Sequence, residues 1–424
     1  MKSFFQIYME KYHIHNWLIF LGLSGFINIK YFSMTTLLIL SILGIFVLIS
    51  FRKDLVLHRE DKVFIILMFL LPTAFFLNML FFGFVPHHLD RPFRMFLGVF
   101  AFLLLEIYGV SKRLIFIALI VCLVYASCLS YYKIVILNEP RAHSFINPIP
   151  FGNFALLLGL IGLSYIYLNN KLSKWNKIAL GFIIFSLSLW VSIASGTRGG
   201  WVVLPILIFI LTFIFNFIKN IHRIIIVLLL CVIFIMSYFT SDFIKNKINI
   251  AIEEMNLYLN TEQKADMFLG SFGTRLEMWR YGLKLFVESP VFGQGFVGFD
   301  KRLKKDVENK KVNKVLLQHG HLHNDIINIM AKQGLVGLAV YLVFYMMLFQ
   351  YFFKRMKNRK LTEDVRFFAT VGGLTVAGMF LFSLSDSMFG TAAGITNYVF
   401  LITLAAGGMR YYEKLLKKEV IYGQ

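Results

Sequence analysis

Apolar runs of about 15 to 22 residues, separated by short polar segments, fill most of the chain. A helix of about 20 residues crosses the hydrocarbon of a bilayer. A run that is apolar on every face, not on one stripe, belongs inside lipid or a helix bundle. By that measure the pattern predicts twelve helical spans, at about 15–29, 33–51, 63–84, 95–111, 114–132, 151–169, 177–195, 200–218, 222–240, 334–353, 366–384 and 395–409. The first and last are the shortest. The one long interruption, 241–333, reads as an amphipathic helix near 242–259, a second near 274–288, a glycine turn at 293–298, a charged stretch at 300–314 and a third helix near 322–333. The expected fold is therefore an all-α integral membrane protein. Spans one to nine occupy 1–240, a mostly helical loop domain 241–333, and the last three spans with a tail 334–424.

Composition narrows the class. Of 424 residues, 58% are hydrophobic and 47 are Phe, well above the 45–50% or so of soluble domains. One soluble core cannot bury that much apolar surface, whereas a bilayer accepts it. The net charge of +20 could point to nucleic acid. The cations, however, cluster in short loops between apolar runs, a pattern of membrane topology that excludes a nucleic-acid partner. Cys122, Cys128 and Cys231 all fall inside apolar runs, where they read as small packing residues. The first apolar run has no A-x-A site after it and is expected to stay as a helix.

Twelve spans put both termini on one side. The loops sharing that side hold 23 Lys and Arg, against six in the short loops opposite (Lys30, Arg91, Arg94, Lys133, Arg141, Arg198). The positive-inside rule then places both termini in the cytoplasm. The long loop and the loops 132–150 and 385–394 face out. In a two-membrane envelope that side is the periplasm, which lacks ATP and nucleotide sugars, so chemistry there needs a pre-activated substrate.

Five arginines lie on the side where cations are disfavoured: Arg91 and Arg94 at the outer end of the fourth span, Arg141 in Pro-Arg-Ala-His, Arg198 in Ser-Gly-Thr-Arg-Gly-Gly-Trp, and Arg275 in Gly-Thr-Arg-Leu-Glu. Each could snorkel or pair with a carboxylate. Glycines around Arg198 let a backbone or a phosphate approach, and a guanidinium fork binds phosphate in bidentate fashion. Arg275 opens a helix whose first N–H groups also favour an anion. The segment 319–325, His-Gly-His-Leu-His-Asn-Asp, admits three readings: a metal site, a polar helix cap, or a general base, since neutral imidazole takes a proton from a hydroxyl. Asp386, in a Ser-rich turn at the end of the eleventh span, could orient the histidine, pair with an arginine or cap its own turn. Gly293-Gln294-Gly295 precedes no expected helix and is rejected as a nucleotide motif. The outer loops show no carboxylate pair at hydrolase spacing, which argues against glycoside hydrolysis.

Taken in order, Arg-Ala-His-Ser-Phe-Ile-Asn-Pro-Ile-Pro-Phe-Gly (141–152), Ser-Gly-Thr-Arg-Gly-Gly-Trp (195–201), Arg-Leu-Glu-Met-Trp-Arg-Tyr-Gly (275–282), Ser-Pro-Val-Phe-Gly-Gln-Gly (289–295) and the stretch from His-Leu-His-Asn-Asp to Gln-Gly-Leu-Val-Gly-Leu (321–338) resemble the O-antigen ligase family. That group includes O-antigen polymerases and protein O-oligosaccharyltransferases. The resemblance covers nearly the whole chain. It implies a metal-independent, inverting glycosyltransferase of the bacterial inner membrane, with no cofactor. It implies that Arg198 and Arg275 hold the pyrophosphate of an undecaprenyl-pyrophosphate glycan, with Arg141, Arg91 and Arg94 as further candidates. It makes His323 the base, with His321 close by and Asp386 in support, and in a ligase makes a lipid A-core sugar the acceptor. Asp325 and Ile326 depart from the family pattern after the His-Asn pair, which bears on the acceptor. Polymerase and protein glycosylation remain alternatives with the same donor, and a non-catalytic lipid-glycan transporter is the alternative of a different class.

Overall fold

The structure, a computed structural model, describes residues 2–51, 56–215, 242–260 and 269–422. The predicted span 222–240, the end of span 200–218 and Cys231 lie outside the described residues. Fifteen α-helices and no strands occur among the described residues, which bears out the all-α membrane class. They are α1 (Lys2–Glu10), α2 (Ile14–Ser24), α3 (Phe32–Ser50), α4 (Arg59–Phe82), α5 (Asp90–Tyr108), α6 (Lys112–Tyr131), α7 (Pro148–Leu168), α8 (Lys174–Ser195), α9 (Arg198–Phe215), α10 (Asp242–Asn260), α11 (Ser271–Glu288), α12 (Gly295–Glu308), α13 (Asp325–Lys357), α14 (Glu363–Phe382) and α15 (Ala392–Tyr422).

Eight of these helices are long and apolar enough to cross a membrane: α3, α4, α6, α7, α8, α13, α14 and α15. α2 and α9 are shorter and apolar. The expected first span, 15–29, is only an 11-residue helix, which ends where Gly25 turns the chain against the Phe32 ring. Local chemistry starts the helices. Ser111, Ser173 and Thr362 cap α6, α8 and α14 by accepting N–H bonds from Leu114, Asn176 and Val365, and Pro148 opens α7 with its φ already set. α7, α14 and α15 are almost wholly buried, while the other spanning helices turn apolar faces outward. Such outward faces suit lipid, which needs no polar partner.

Three expectations for the long loop change. The charged stretch 300–314 is largely helical, as α12, and the glycine turn at 293–295 does lead into a helix. The expected third loop helix and tenth span are one element, α13, kinked at Gly334 (φ 64°, ψ −158°). The kink has a stated cause. The Leu335 and Val336 N–H groups leave the helical ladder and donate to the carbonyls of Pro290 (2.8 Å) and Val291 (3.1 Å), while the Gln294 N–H donates to Ala331 O (2.9 Å). The turn 290–294 is thus clasped against the kink. A Cβ on Gly334 would lie 2.4 Å from the Val291 carbonyl, and one on Gly293 2.5 Å from Gln333 N. Gly334→Ala is therefore expected to cost about 1–3 kcal/mol from backbone strain alone, seen as a lower melting temperature in detergent. An unchanged melting temperature would contradict the clasp.

At the far end of α4, α5, α13 and α15 a buried ionic network ties the four helices together. Arg410 bonds Asp61 (2.5 Å) and Glu413, Lys414 bonds Asp61 (3.1 Å) and Glu106 (2.8 Å), and Arg355 joins Glu60 (2.9 Å) to Glu413 (2.6 Å). Each charge has a partner, as burial in low dielectric demands.

Candidate functional site

At the other end of the bundle, the loop before α13 and the loop between α14 and α15 are laced together. Asn324 caps α13 by accepting from Ile327 N (3.1 Å), and its side-chain amide donates to Leu384 O (3.0 Å). The Asp325 carboxylate accepts from the Ser387 hydroxyl (2.5 Å) and Phe389 N (3.1 Å), and its own N–H donates to Ser383 O (3.0 Å). The acid next to the histidines in sequence thus holds the neighbouring loop. The acid next to them in space is Asp386. Its Oδ1 accepts from His323 Nδ1 (2.7 Å) and from Ser387 N (2.9 Å).

His323 has a positive φ of 49°, a conformation that costs a non-glycine residue and is held by surrounding structure. A carboxylate can only accept, so Nδ1 carries a proton, and in the neutral ring the lone pair is on Nε2. Nε2 lies 3.4 Å from His319 Nδ1, and the His321 ring centroid is 4.5 Å from that of His323. Burial, followed by the charge of His323, pushes the His321 imidazole down to about 4, and the same two causes lower His319. Burial alone would raise Asp386. The His323 hydrogen bond and the charges of His323 and His321 outweigh it and hold the carboxyl below its ordinary value.

A pH dependence follows. His321 titrates near 6.5 when unperturbed and near 4 in the fold. Between those values the unfolded chain binds more protons, so stability is full above about pH 6.5 and is lost as pH falls toward 4. The melting temperature should fall across that window, and less steeply in His321→Asn. An equally steep fall in the variant would contradict the assignment.

Arg198 begins α9, Arg275 lies in the first turn of α11, and Arg141 lies in the loop before α7. Their charges act on one another. Burial, then Arg198 and Arg275, lower the Arg141 guanidinium, and Asp386 opposes them; burial lowers Arg275, Asp386 opposes it and Arg198 adds to it. Arg141 is braced by the carbonyls of Ser195 (2.7 Å) and Gly196 (3.4 Å). Two local readings are corrected. The glycines after Arg198 face protein: a Cβ on Gly199 would meet Ser385 Oγ at 2.4 Å and one on Gly200 Asn153 Oδ1 at 2.6 Å. The N-terminal N–H groups of α11 are also taken, since Phe272 N (2.7 Å) and Gly273 N (3.2 Å) donate to Glu254. The anion-binding capacity here is that of the guanidinium groups.

Arg141 and Arg198 line a cleft of about 440 Å³ whose remaining wall includes Trp190, Ile193, Trp201 and Val202. Arg91 and Arg94 sit apart from this trio, in the first two turns of α5. Arg94 bonds Asp90 (2.8 Å), Ala392 O (3.0 Å) and Thr396 Oγ1 (2.6 Å), joining α5 to α15. Arg91 lines a separate, smaller cavity together with His321 and Lys332. Lys332 is a member of this end of the bundle that the sequence did not single out, and His319 and Asp325 entered it only as parts of the 319–325 segment.

The ligand atoms of His321, His323 and Asp386 lie within 4.8 Å of one another, a spacing that a metal ion could bridge. Arg141 and Arg275, within electrostatic reach of Asp386, oppose a dication there, because like charges in a poorly hydrated site repel.

Residues 183–342 match the family model described as O-antigen ligase. The stretch runs from within α8 to within α13 and contains Arg198, Arg275, His319, His321 and His323. An uncharacterized protein of Haemophilus influenzae is 26% identical over 364 residues, spanning 85% of this chain and 90% of that one. A protein of Escherichia coli described as O-antigen ligase is 30% identical over 117 residues, 26% of each chain.

Proposed function

We propose, on the premise that residues 183–342 carry an O-antigen ligase family region in a multi-pass membrane protein, that the chain moves a glycan from undecaprenyl pyrophosphate to a lipid A-core sugar at the periplasmic face of the inner membrane. The observation that carries this reading is that Arg141 and Arg275 lie within electrostatic reach of each other, of Arg198 and of Asp386, the carboxylate that holds His323. Guanidinium groups gathered this closely attract an anion between them. Next to Asp386 is the His323 imidazole, whose Nε2 has only a long contact of 3.4 Å, to His319 Nδ1.

The chemistry balances. The acceptor hydroxyl oxygen attacks the anomeric carbon from the face opposite the pyrophosphate, so the configuration inverts. The bond from that carbon to the pyrophosphate oxygen breaks, and its electron pair leaves with the oxygen. His323 Nε2 takes the hydroxyl proton, and Asp386 stabilises the imidazolium through Nδ1. Charge grows on the pyrophosphate as the bond breaks, and guanidinium groups already aimed there favour the transition state. The apolar wall of the cleft, with Val202 at 65% and Ile193 at 45% exposed, suits a prenyl chain. No step calls for a metal or a cofactor.

The test supplies purified protein with lipid-linked glycan, and with either rough lipopolysaccharide or a second lipid-linked glycan, without ATP or metal. The expected outcome is glycan on the lipopolysaccharide. Growth of the second lipid-linked glycan instead makes the protein a polymerase. Transfer to neither, with glycan export intact in cells, makes it a transporter and overturns the proposal.

A further inference from the structure

A second cavity, of about 50 Å³, lies between α4, α5, α13 and the start of α15, and shares no lining residue with the arginine cleft. A single water needs about 10–15 Å³ on this measure, so the space holds several waters or one tetrahedral anion. Its polar lining is Arg91, His88, His321, Asp325, Asn328 and Lys332.

Lys332 is the unusual member. Its side chain is 4% exposed, and Nζ has one long contact, to Gly320 O at 3.4 Å, with the rings of Phe299 and Phe296 at 4.6 and 5.7 Å. It has no carboxylate partner among the described residues. Asp300 and Asp325 act on it through space but neither bonds it: Asp300 lies 3.6 Å from His88, and Asp325 accepts from Ser387 and Phe389. A buried ammonium with no anion in contact is costly. Arg91, in the same wall, has no hydrogen-bond partner among the described residues, unlike Arg94 one turn on. Asn328 Oδ1 is buried and unpartnered too. Two cations and a free acceptor around one small space fit an anionic group with a hydroxyl beside it.

The position gives this meaning. His321 lines the cavity and its ring touches that of His323. Asp386, bonded to His323, feels Arg141 and Arg275. The small cavity therefore adjoins the histidine pair, and these arginines act on the carboxylate that holds His323. We propose that the small cavity is an anion subsite, in which Lys332 and Arg91 hold a phosphate or carboxylate carried by the acceptor sugar, about one ring away from the hydroxyl that attacks. The acceptor part rests on the glycan-transfer reading; the binding of an anion does not.

Two measurements test it. The first is binding of inorganic phosphate to the full chain in nanodiscs, in an Arg198→Gln/Arg275→Gln background that weakens the other site. One phosphate should still bind per chain, and adding either Lys332→Met or Arg91→Gln should weaken it at least tenfold. No binding in that background, or binding indifferent to both substitutions, overturns the subsite. The second is transfer onto rough lipopolysaccharide before and after removal of its phosphates. Lys332→Met, in the otherwise native chain, should raise KM for the phosphorylated acceptor at least tenfold, to the value for the dephosphorylated one, leaving donor KM unchanged. Phosphate binding that needs Lys332, together with no discrimination between acceptors, leaves a site for free phosphate and overturns the acceptor assignment. If the native chain transfers to neither acceptor, the glycan-transfer reading fails and the acceptor assignment with it, while the phosphate measurement still decides the subsite.

Discussion

A chain with Ala in place of His323 is expected to transfer glycan about 10²–10⁴ times more slowly than the parent, the usual contribution of a positioned general base. The acceptor hydroxyl is a poor nucleophile until its proton has somewhere to go. Nε2 of His323 is the ring nitrogen left with a lone pair, because Nδ1 is committed to Asp386 at 2.7 Å. The loss should be in kcat at saturating donor and acceptor, since His323 is assigned no part in holding the lipid. His323 lies in the loop before α13, outside the apolar core, but it partners the buried Asp386, so the melting temperature should fall somewhat and turnover is compared where both chains remain folded. Asp386→Asn should fall between the two. It keeps the packing but removes the charge that stabilises the imidazolium. A His323→Ala chain within fivefold of parental turnover would remove the base from the account.

The second large effect is expected at Arg275. Its guanidinium is half-buried beside Arg141 and Arg198 and has no hydrogen-bond partner among the described residues. Arg275→Gln should lower kcat about 10²–10³-fold, the loss seen when one preorganised donor to a developing oxyanion is removed. Arg275→Lys should rescue little, because an ammonium cannot form the two parallel bonds of a guanidinium fork. Arg198→Gln should behave similarly, and the double variant should lose less than the product of the two, because both act on one leaving group. Turnover unaffected by either Gln substitution would place the pyrophosphate elsewhere.

The spanning helices were legible because the apolar runs nearly coincide with them. The runs 114–132, 151–169 and 177–195 became Lys112–Tyr131, Pro148–Leu168 and Lys174–Ser195. What failed was the loop, for reasons of contact rather than propensity. Periodicity separates 322–333 from 334–353 at Gly334, yet the helix continues because Pro290 and Val291 accept the N–H groups it releases there. Within the site, His323 and Asp386 were each visible as unusual residues. Their bond spans 63 positions, and the nearer acid, Asp325, faces the other loop. Glu254 at the start of α11 shows the same limit. A helix N-terminus can be seen in a sequence, but which carboxylate fills it cannot. Lys332 gave no signal at all, since one lysine among the 14 Lys and Arg of 241–333 looks like solvated charge until its burial is known.

The most direct measurement follows undecaprenyl pyrophosphate release and glycan transfer together, in purified protein with a metal chelator present. One pyrophosphate lipid is expected to be released per glycan transferred, at the same rate with or without chelator, with both events slowed together about 10²–10⁴-fold in the His323→Ala chain. Release that stops with the chelator, or that continues at the parental rate without His323, would contradict this.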